Sequence, residues 1–554
     1  MNPLKDSLVA IISLFLFQVI IFGCSSDSNE NVEVESVILL SPKSLNLTEN
    51  GSGTLTLSIV PSLETAWEII SKPDWISINS LSGTFKGVAT TLDVYPVTNG
   101  LNPGEYSGII KFTSNGLEAE ANVTLRIIEK AAMSISQGIL SFGYFEDEKN
   151  FYVKNEGNVG LEWSATLAES YISITPQNSS LNPGDSIMVN AVLDRSTLPT
   201  TIEELELSIS NNKDQIIKIP LAYKNYKEEK WLIGGEIVDA EFDRINNQLI
   251  AVSTGPNELR KISPASKSME TLQLNITPTC VSVSNDGNFA VVGHDARISY
   301  VDLNNMQLIN IYDVATDVFD IVLAPNNWAY AFPRSGQWER IHCVDLNTGV
   351  ETTSTGNQIR EGTKAKLHPS GEYIYGSDNG VSPSDVEKYD ITGGTADYLY
   401  DSPYHGDYSF DGNIWMSDSG DKLVSRSRNI FKLSTDQATD IRYNGQLIGN
   451  QKIATLDIHT VANKMYVVME TGTIYQEVPS NTINIFDATY HEMIGTILLP
   501  GYLTPDGQGD GLIYDSEAYF GFFNNAGTAF YSLLKAPEEA GLGSAWSLAS
   551  VLVD

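Results

Sequence analysis

Basic residues are scarce in this sequence. Only 34 Lys and Arg stand against 69 Asp and Glu in 554 residues, for a formal charge of −35 and an isoelectric point near 4.4. Such a surface repels phosphate backbones, which argues against nucleic acid as a partner, and it keeps the chain soluble. Cysteine is scarcer still, with three. Cys280 and Cys343 fall at unrelated positions with no metal-ligand spacing, so two buried free thiols are expected rather than a disulfide. The six histidines form no set. His368 and His459 precede equivalent turns, His294 lies in a loop, His342 in a strand and His491 in a turn. Neither G-x-S-x-G nor H-E-x-x-H occurs, so the familiar serine-hydrolase and zinc-protease motifs are missing. Acidic residues are too numerous for sequence to single out a glycosidase pair. Long amphipathic runs are missing as well. Short alternating apolar stretches, broken by Asn, Asp, Gly, Pro and Ser, predict an all-β chain.

What is present begins with an apolar run, "LVAIISLFLFQVIIFG", over residues 8–23. It is short for a membrane span and suits the core of a signal peptide. Gly23 then Cys24 close this run and open the polar stretch "CSSDSNENVEVES". A small residue before a cysteine at such a junction resembles a bacterial lipobox. The resemblance implies a signal peptide over 1–23, lipidation of Cys24 and a flexible tether over 24–35. The Ser/Asp/Glu-rich start resembles the surface-export signal of Bacteroidetes lipoproteins. That implies an outer-membrane anchor facing the cell exterior, with the periplasmic face as the alternative.

Two modules follow, over 36–129 and 130–224. "PDWISINSLSGTF" (73–85) is echoed by "ESYISITPQNSSL" (169–181), so that Trp75 and Tyr171 lie 96 positions apart, as do Trp67 and Trp163. Alternating runs such as "GTLTLSIV" and "DSIMVNAVL" give about seven strands per module, the size of an immunoglobulin-like β-sandwich. Trp75-Ile76-Ser77-Ile78 and the Gly104-Glu105-Tyr106-Ser107-Gly108 hairpin resemble the BACON family of Bacteroidetes-associated sandwich domains. The second copy has Tyr171 for the tryptophan and lacks that hairpin, so it resembles a divergent member. The family was named for presumed carbohydrate binding, yet the interchange of Trp75 with Tyr suits a core position in a spacer.

From residue 229 to 554 the period becomes about 40 residues, each unit reading as four short strands. Asp302, Asp345, Asp390 and Asp487 recur at the end of the third strand, where a carboxylate caps the turn that follows. The units predict a β-propeller of seven blades, with six or eight as alternatives, closed by strand exchange through "EKWLIGGEI" or the terminal "SLASVLVD". "SNDGNFAVV…ISYVDL" and "NKMYVVM…INIFDA" are similar to the YVTN/lactonase-like propellers. The expected fold is thus all-β: two tandem immunoglobulin-like β-sandwiches followed by a seven-bladed β-propeller.

The loops expected to share one propeller face carry the candidate site. Arg334 with Trp338, and Tyr404, His405 and Tyr502, offer aromatic faces and donors suited to a glycan. A surface protein is the other partner considered. No cofactor is implied. Asp506 and Asp510 in "DGQGDG" form a weak calcium candidate, because two acids are few for that ion. If the chain is an enzyme of lactonase, lyase or glycosidase type, the expected set is His405, Asp407, Arg360 and Asp320, with His405 near the start of an inner strand. The missing catalytic motifs favour binding over catalysis.

Overall fold

The computed structural model describes residues 35–199, 205–473 and 476–553. Cys24, the signal segment and the tether up to residue 34 lie outside the described residues. No α-helix occurs among the described residues; apart from two short 3-10 turns, every regular element is a β-strand. Of the described residues, those within Met1–Leu140, Asn150–Val192 and Glu203–Leu221 form one compact unit. Those within Ser141–Lys149, Leu193–Ile202 and Ala222–Asp554 form the other.

The echo in sequence is an echo in topology. Residues 37–127 fold into a four-stranded and a five-stranded sheet, and residues 133–223 repeat both with the same strand order. In the first module the alternation of strands such as Gly53–Val60 and Leu117–Ile127 turns every second residue inward. Leu55, Leu57, Val94, Ile110, Phe112 and Val123 from both sheets meet in one core. Trp67 (3% exposed) and its counterpart Trp163 (2%) are core residues. Tyr171 is buried, whereas Trp75 lies half-buried at the core's margin, its ring 6.3 Å from that of Tyr106.

The glycines of the motif have a packing reason. A Cβ on Gly108 would stand 2.3 Å from Cγ of Pro73 and 3.5 Å from the Trp75 ring, and one on Gly83 would stand 2.8 Å from the Trp67 ring. Each glycine lets an aromatic corner close on a strand.

In the C-terminal unit the strands assemble in sequence order into sheets such as Glu236–Asp243 to Ser268–Gln273, Lys364–Leu367 to Asp397–Asp401, and Ile453–His459 to Met493–Leu498. One strand, Gln307–Ala324, serves two neighbouring sets of strands: its first half pairs with Phe289–Asp302 and its second with Trp328–Pro333. Lys230–Leu232 pairs antiparallel with Trp546–Leu552, so the start of the unit completes its last sheet. The four recurrent aspartates act as turn caps. Their Oδ1 atoms accept from the backbone N–H two residues on, at 2.8–2.9 Å, for Asp302, Asp345, Asp390 and Asp487. Cys280 and Cys343 are buried free thiols, and burial pushes the Cys343 thiol up to about 12.

Glu236–Asp243, Lys364–Leu367, Ile414–Met416, Ile453–His459 and Glu517–Phe523 line one channel together with Asp320, and several of these inner strands offer edge N–H groups outside the strand ladders. Side chains of the preceding first strand accept them. Asp239 and Glu241 accept from Val281 and Val283, each at 2.8 Å. Ser282 accepts from Leu323 at 3.1 Å, Asp320 from Ala365 at 2.8 Å, Thr455 from Gly521 at 3.1 Å and Asp457 from Phe523 at 2.8 Å. Buried backbone donors are thereby satisfied from sheet to sheet.

Candidate binding site

The loops of the C-terminal unit bring two of the expected residues, Trp338 and Arg360, into contact and give the others different partners. Trp338–Glu339 and Ile359–Arg360 pair as a two-stranded ribbon with Trp338 opposite Arg360. The chain turns tightly into the ribbon at Gly336 and Gln337, which take positive φ, and Gln337 N–H donates to the Glu361 carboxylate at 2.8 Å. Trp338 is 46% exposed. The Arg360 guanidinium lies 5.9 Å from its ring centroid, a cation–π contact. Nε of Arg360 is buried without a hydrogen-bond partner.

Behind this ribbon lie carboxylates that sequence reasoning did not select. Asp378 and Asp385 end the hairpin between Tyr373–Ser377 and Val386–Asp390, and Asp378 N–H donates to Asp385 O at 3.0 Å. Glu387 sits directly opposite Asp401 across the strand pair. The Arg360 backbone N–H donates to Asp378, Ser402 to Asp385, and Tyr389 OH to Glu387. His405 Nδ1 stands 3.5 Å from Asp385 Oδ2. Ligand atoms of Asp385, Asp401 and His405 all lie within 4.8 Å of one another, close enough for these three to share a cation.

Burial, followed by the charge of neighbouring carboxylates, raises Asp378 and Asp385 to about 6 and Glu387 to about 8. Burial thus favours the protonated form most at Glu387 and less at Asp378 and Asp385. The carboxylates offer acceptors to hydroxyls.

The remaining candidates stand apart. His405 lies in the connection after Asp401 with 70% of its side chain exposed, and its carboxylate neighbour is Asp385 rather than Asp407. Asp320 caps Ala365 and pairs with Lys364 at 3.1 Å, facing the channel rather than His405. Arg334 turns to Asp295 (2.7 Å) and Val318 O (3.1 Å). Tyr404 packs edge-on to Tyr408, with centroids 4.8 Å apart, and its hydroxyl accepts from Tyr443 N–H. Tyr502 is buried beneath Lys230, and its hydroxyl donates to Leu534 O at 3.0 Å. In "DGQGDG", Asp506 accepts from Gln508 and Asp510 N–H within its own loop, and Asp510 accepts from Lys224. Both calcium candidates thus already hold protein donors.

One sequence signal for the missed carboxylates existed. Third strands read Ile298-Ser299-Tyr300-Val301, Ile341-His342-Cys343-Val344 and Ile483-Asn484-Ile485-Phe486, whereas two carry adjacent charges: Leu259-Arg260-Lys261-Ile262, both basic, and the fully buried Val386-Glu387-Lys388-Tyr389, which includes an acid.

The family model of the viral BACON domain matches residues 37–122 and 132–224. The chain therefore carries BACON-like domains of immunoglobulin type in its first part. A comparison with curated proteins gives no match. Among solved structures, hydrazine synthase of Kuenenia stuttgartiensis is similar at 11% identity and a TM-score of 0.42, over 58% of this chain and 96% of that one.

Proposed function

We propose that the chain is a cell-envelope lipoprotein that displays a binding face for glycans. In this reading Cys24 carries the lipid, and two β-sandwiches form a stalk. The C-terminal unit is a seven-bladed, YVTN-like β-propeller held at the outer surface of an outer membrane. The observation that carries it is the exposed Trp338 ring beneath the Arg360 guanidinium, set beside Asp378, Asp385 and Asp401. An indole face matches the C–H face of a sugar ring, while carboxylates and guanidinium match its hydroxyls. The exposure of Trp338 and of His405 suits binding better than a deep catalytic pocket does.

A glycan array with the purified chain from about residue 30 tests this. Binding to a defined glycan class is expected, and Trp338→Ala should abolish it while circular dichroism stays unchanged. Failure to bind any glycan would redirect the search to a protein partner. A second reading, an enzyme acting on a carbohydrate-derived substrate, draws on Glu387, because a carboxyl raised to about 8 suits a general acid. It requires turnover of the bound glycan that Glu387→Gln removes without removing binding.

A further inference from the structure

Four of the six histidines are committed to the fold by hydrogen bonds. His294 bonds Thr277 O and the Ser299 hydroxyl, and His342 bonds the Glu351 carboxylate. His368 bonds the Ser370 hydroxyl and Gly420 O, and His459 bonds Asn525 O and the Ala462 N–H. His405 is held differently. Its Nδ1 stands 3.5 Å from Asp385 Oδ2, beyond the roughly 3.2 Å of a good N–H···O bond, and 70% of its side chain is exposed.

Two paired strands deliver carboxylates to this imidazole. Asp385 immediately precedes Val386–Asp390, and Asp401 ends the neighbouring Asp397–Asp401. The Val386 N–H donates to Asp385 Oδ1 at 2.7 Å, and Ser402 also donates to this carboxylate. Asp385 is thereby oriented with Oδ2 toward His405, as a metal ligand is oriented by its own partners. A tetrahedral zinc ion with ligands at roughly 2.1 Å sets them roughly 3.4 Å apart. The His405–Asp385 separation already has that length, and Asp401 lies at most about 1.4 Å beyond it. The charge of Asp401 raises Asp378, Asp385 and Glu387, opposed by Arg360 at Asp378 and by His405 at Asp385. A bound cation would relieve those like-charge contacts.

We infer that Asp385, Asp401 and His405 form a binding site for one divalent metal ion of the zinc class. One imidazole nitrogen with two carboxylate oxygens suits zinc better than calcium or magnesium, which favour oxygen alone. Because His405 faces solvent, the fourth position stays open to water or to a ligand oxygen. Asp385 and Asp401 also belong to the proposed glycan face, but the inference concerns the metal alone and needs no glycan.

Calorimetric titration of the full mature chain with Zn²⁺ alone tests it, alongside Co²⁺, whose visible absorption reports ligand geometry. One equivalent of Zn²⁺ is expected to bind with a Kd of about 10 µM or tighter. Binding should weaken at least tenfold in His405→Ala and in Asp401→Asn, and stay unchanged in Trp338→Ala and Asp506→Asn. The exposed position of His405 lets that variant fold as wild type does, and it should also lose the tetrahedral Co²⁺ bands. Absence of Zn²⁺ binding up to about 100 µM, displacement of Zn²⁺ by about 1 mM Ca²⁺, or a His405→Ala titration matching wild type would each overturn the inference. If no glycan binds while Zn²⁺ does, only the glycan reading falls; if a glycan binds while Zn²⁺ does not, only the metal site falls.

Discussion

Two groups of buried carboxylates in the C-terminal unit answer the same problem in opposite ways. In the channel, each acid faces a backbone N–H of the next sheet, and two of them also face a cation. Around Glu387, the acids face one another. Glu241 and Glu387 are both raised by burial, to about 7 and about 8, but their next influences differ. Lys366 and the Val283 N–H favour the charged form of Glu241. At Glu387 only Tyr389 does so, against Asp378, Asp385 and Asp401. Burial alone therefore does not mark a site. The channel acids hold the fold together, whereas the Glu387 group stores unfavourable like-charge contacts that a ligand can relieve.

The largest expected effect lies on the structural side. Asp457→Ala strips the cap from buried Phe523 N–H and leaves Arg244 without its carboxylate. A loss of about 2–3 kcal/mol is expected, since a buried N–H loses its acceptor and a half-buried ion pair is broken. Denaturant unfolding measures it, and a loss below about 1 kcal/mol would erase the structural role given to the channel acids.

Glu387→Gln is expected to act in the other direction. A carboxyl raised in the folded state binds a proton there between its ordinary value of 4.5 and about 8, while the unfolded chain does not. Its contribution to stability is thus present at acid pH and falls as pH rises through that window, by up to about 1.4 kcal/mol per pH unit. Glutamine removes that slope. The difference in unfolding free energy between variant and wild type should grow in the variant's favour from pH 5 to 8. A flat difference would mean that Glu387 is ionised at little cost, and the contrast with Glu241 would vanish.

What was legible in sequence follows the same division. Strand alternation, the 96-residue echo and the turn aspartates are local signals, and each appears in the structure as a strand order, a core aromatic or a cap. Trp338 and Arg360 were selected separately, and only the ribbon made them a pair. Asp385 and Asp401 are 16 positions apart and meet because the strand Val386–Asp390 returns through Asp397–Asp401. Among 69 acids, no spacing rule could pick out that register. His405 and Asp407 were linked by proximity in sequence, but the loop turns His405 to Asp385 instead. The buried Lys388, ringed by Tyr373, Tyr375 and Tyr400 and paired with Asp440 at 2.6 Å, shows that the adjacent charge in the same strand is structural. One strand thus contributes to both kinds of site, which residue type alone could not separate.

The turn aspartates provide the small end of the comparison. Asp345 accepts from Asn347 N–H at 2.9 Å and from the Thr348 hydroxyl at 2.8 Å, in a largely solvated turn. Those hydrogen bonds hold its carboxyl below the usual range. A lowered carboxyl contributes stability above its ordinary value and loses it as pH falls through the folded one. Asp345→Ala should therefore cost about 1 kcal/mol at pH 7 and progressively less below about pH 4. Because water replaces most of what the carboxylate supplied, the effect should stay well under that of Asp457→Ala. Unfolding curves for both variants at pH 7 decide the ranking. Equal losses would mean that the acceptor contributes alike wherever it lies, and that the buried channel caps owe nothing to their burial.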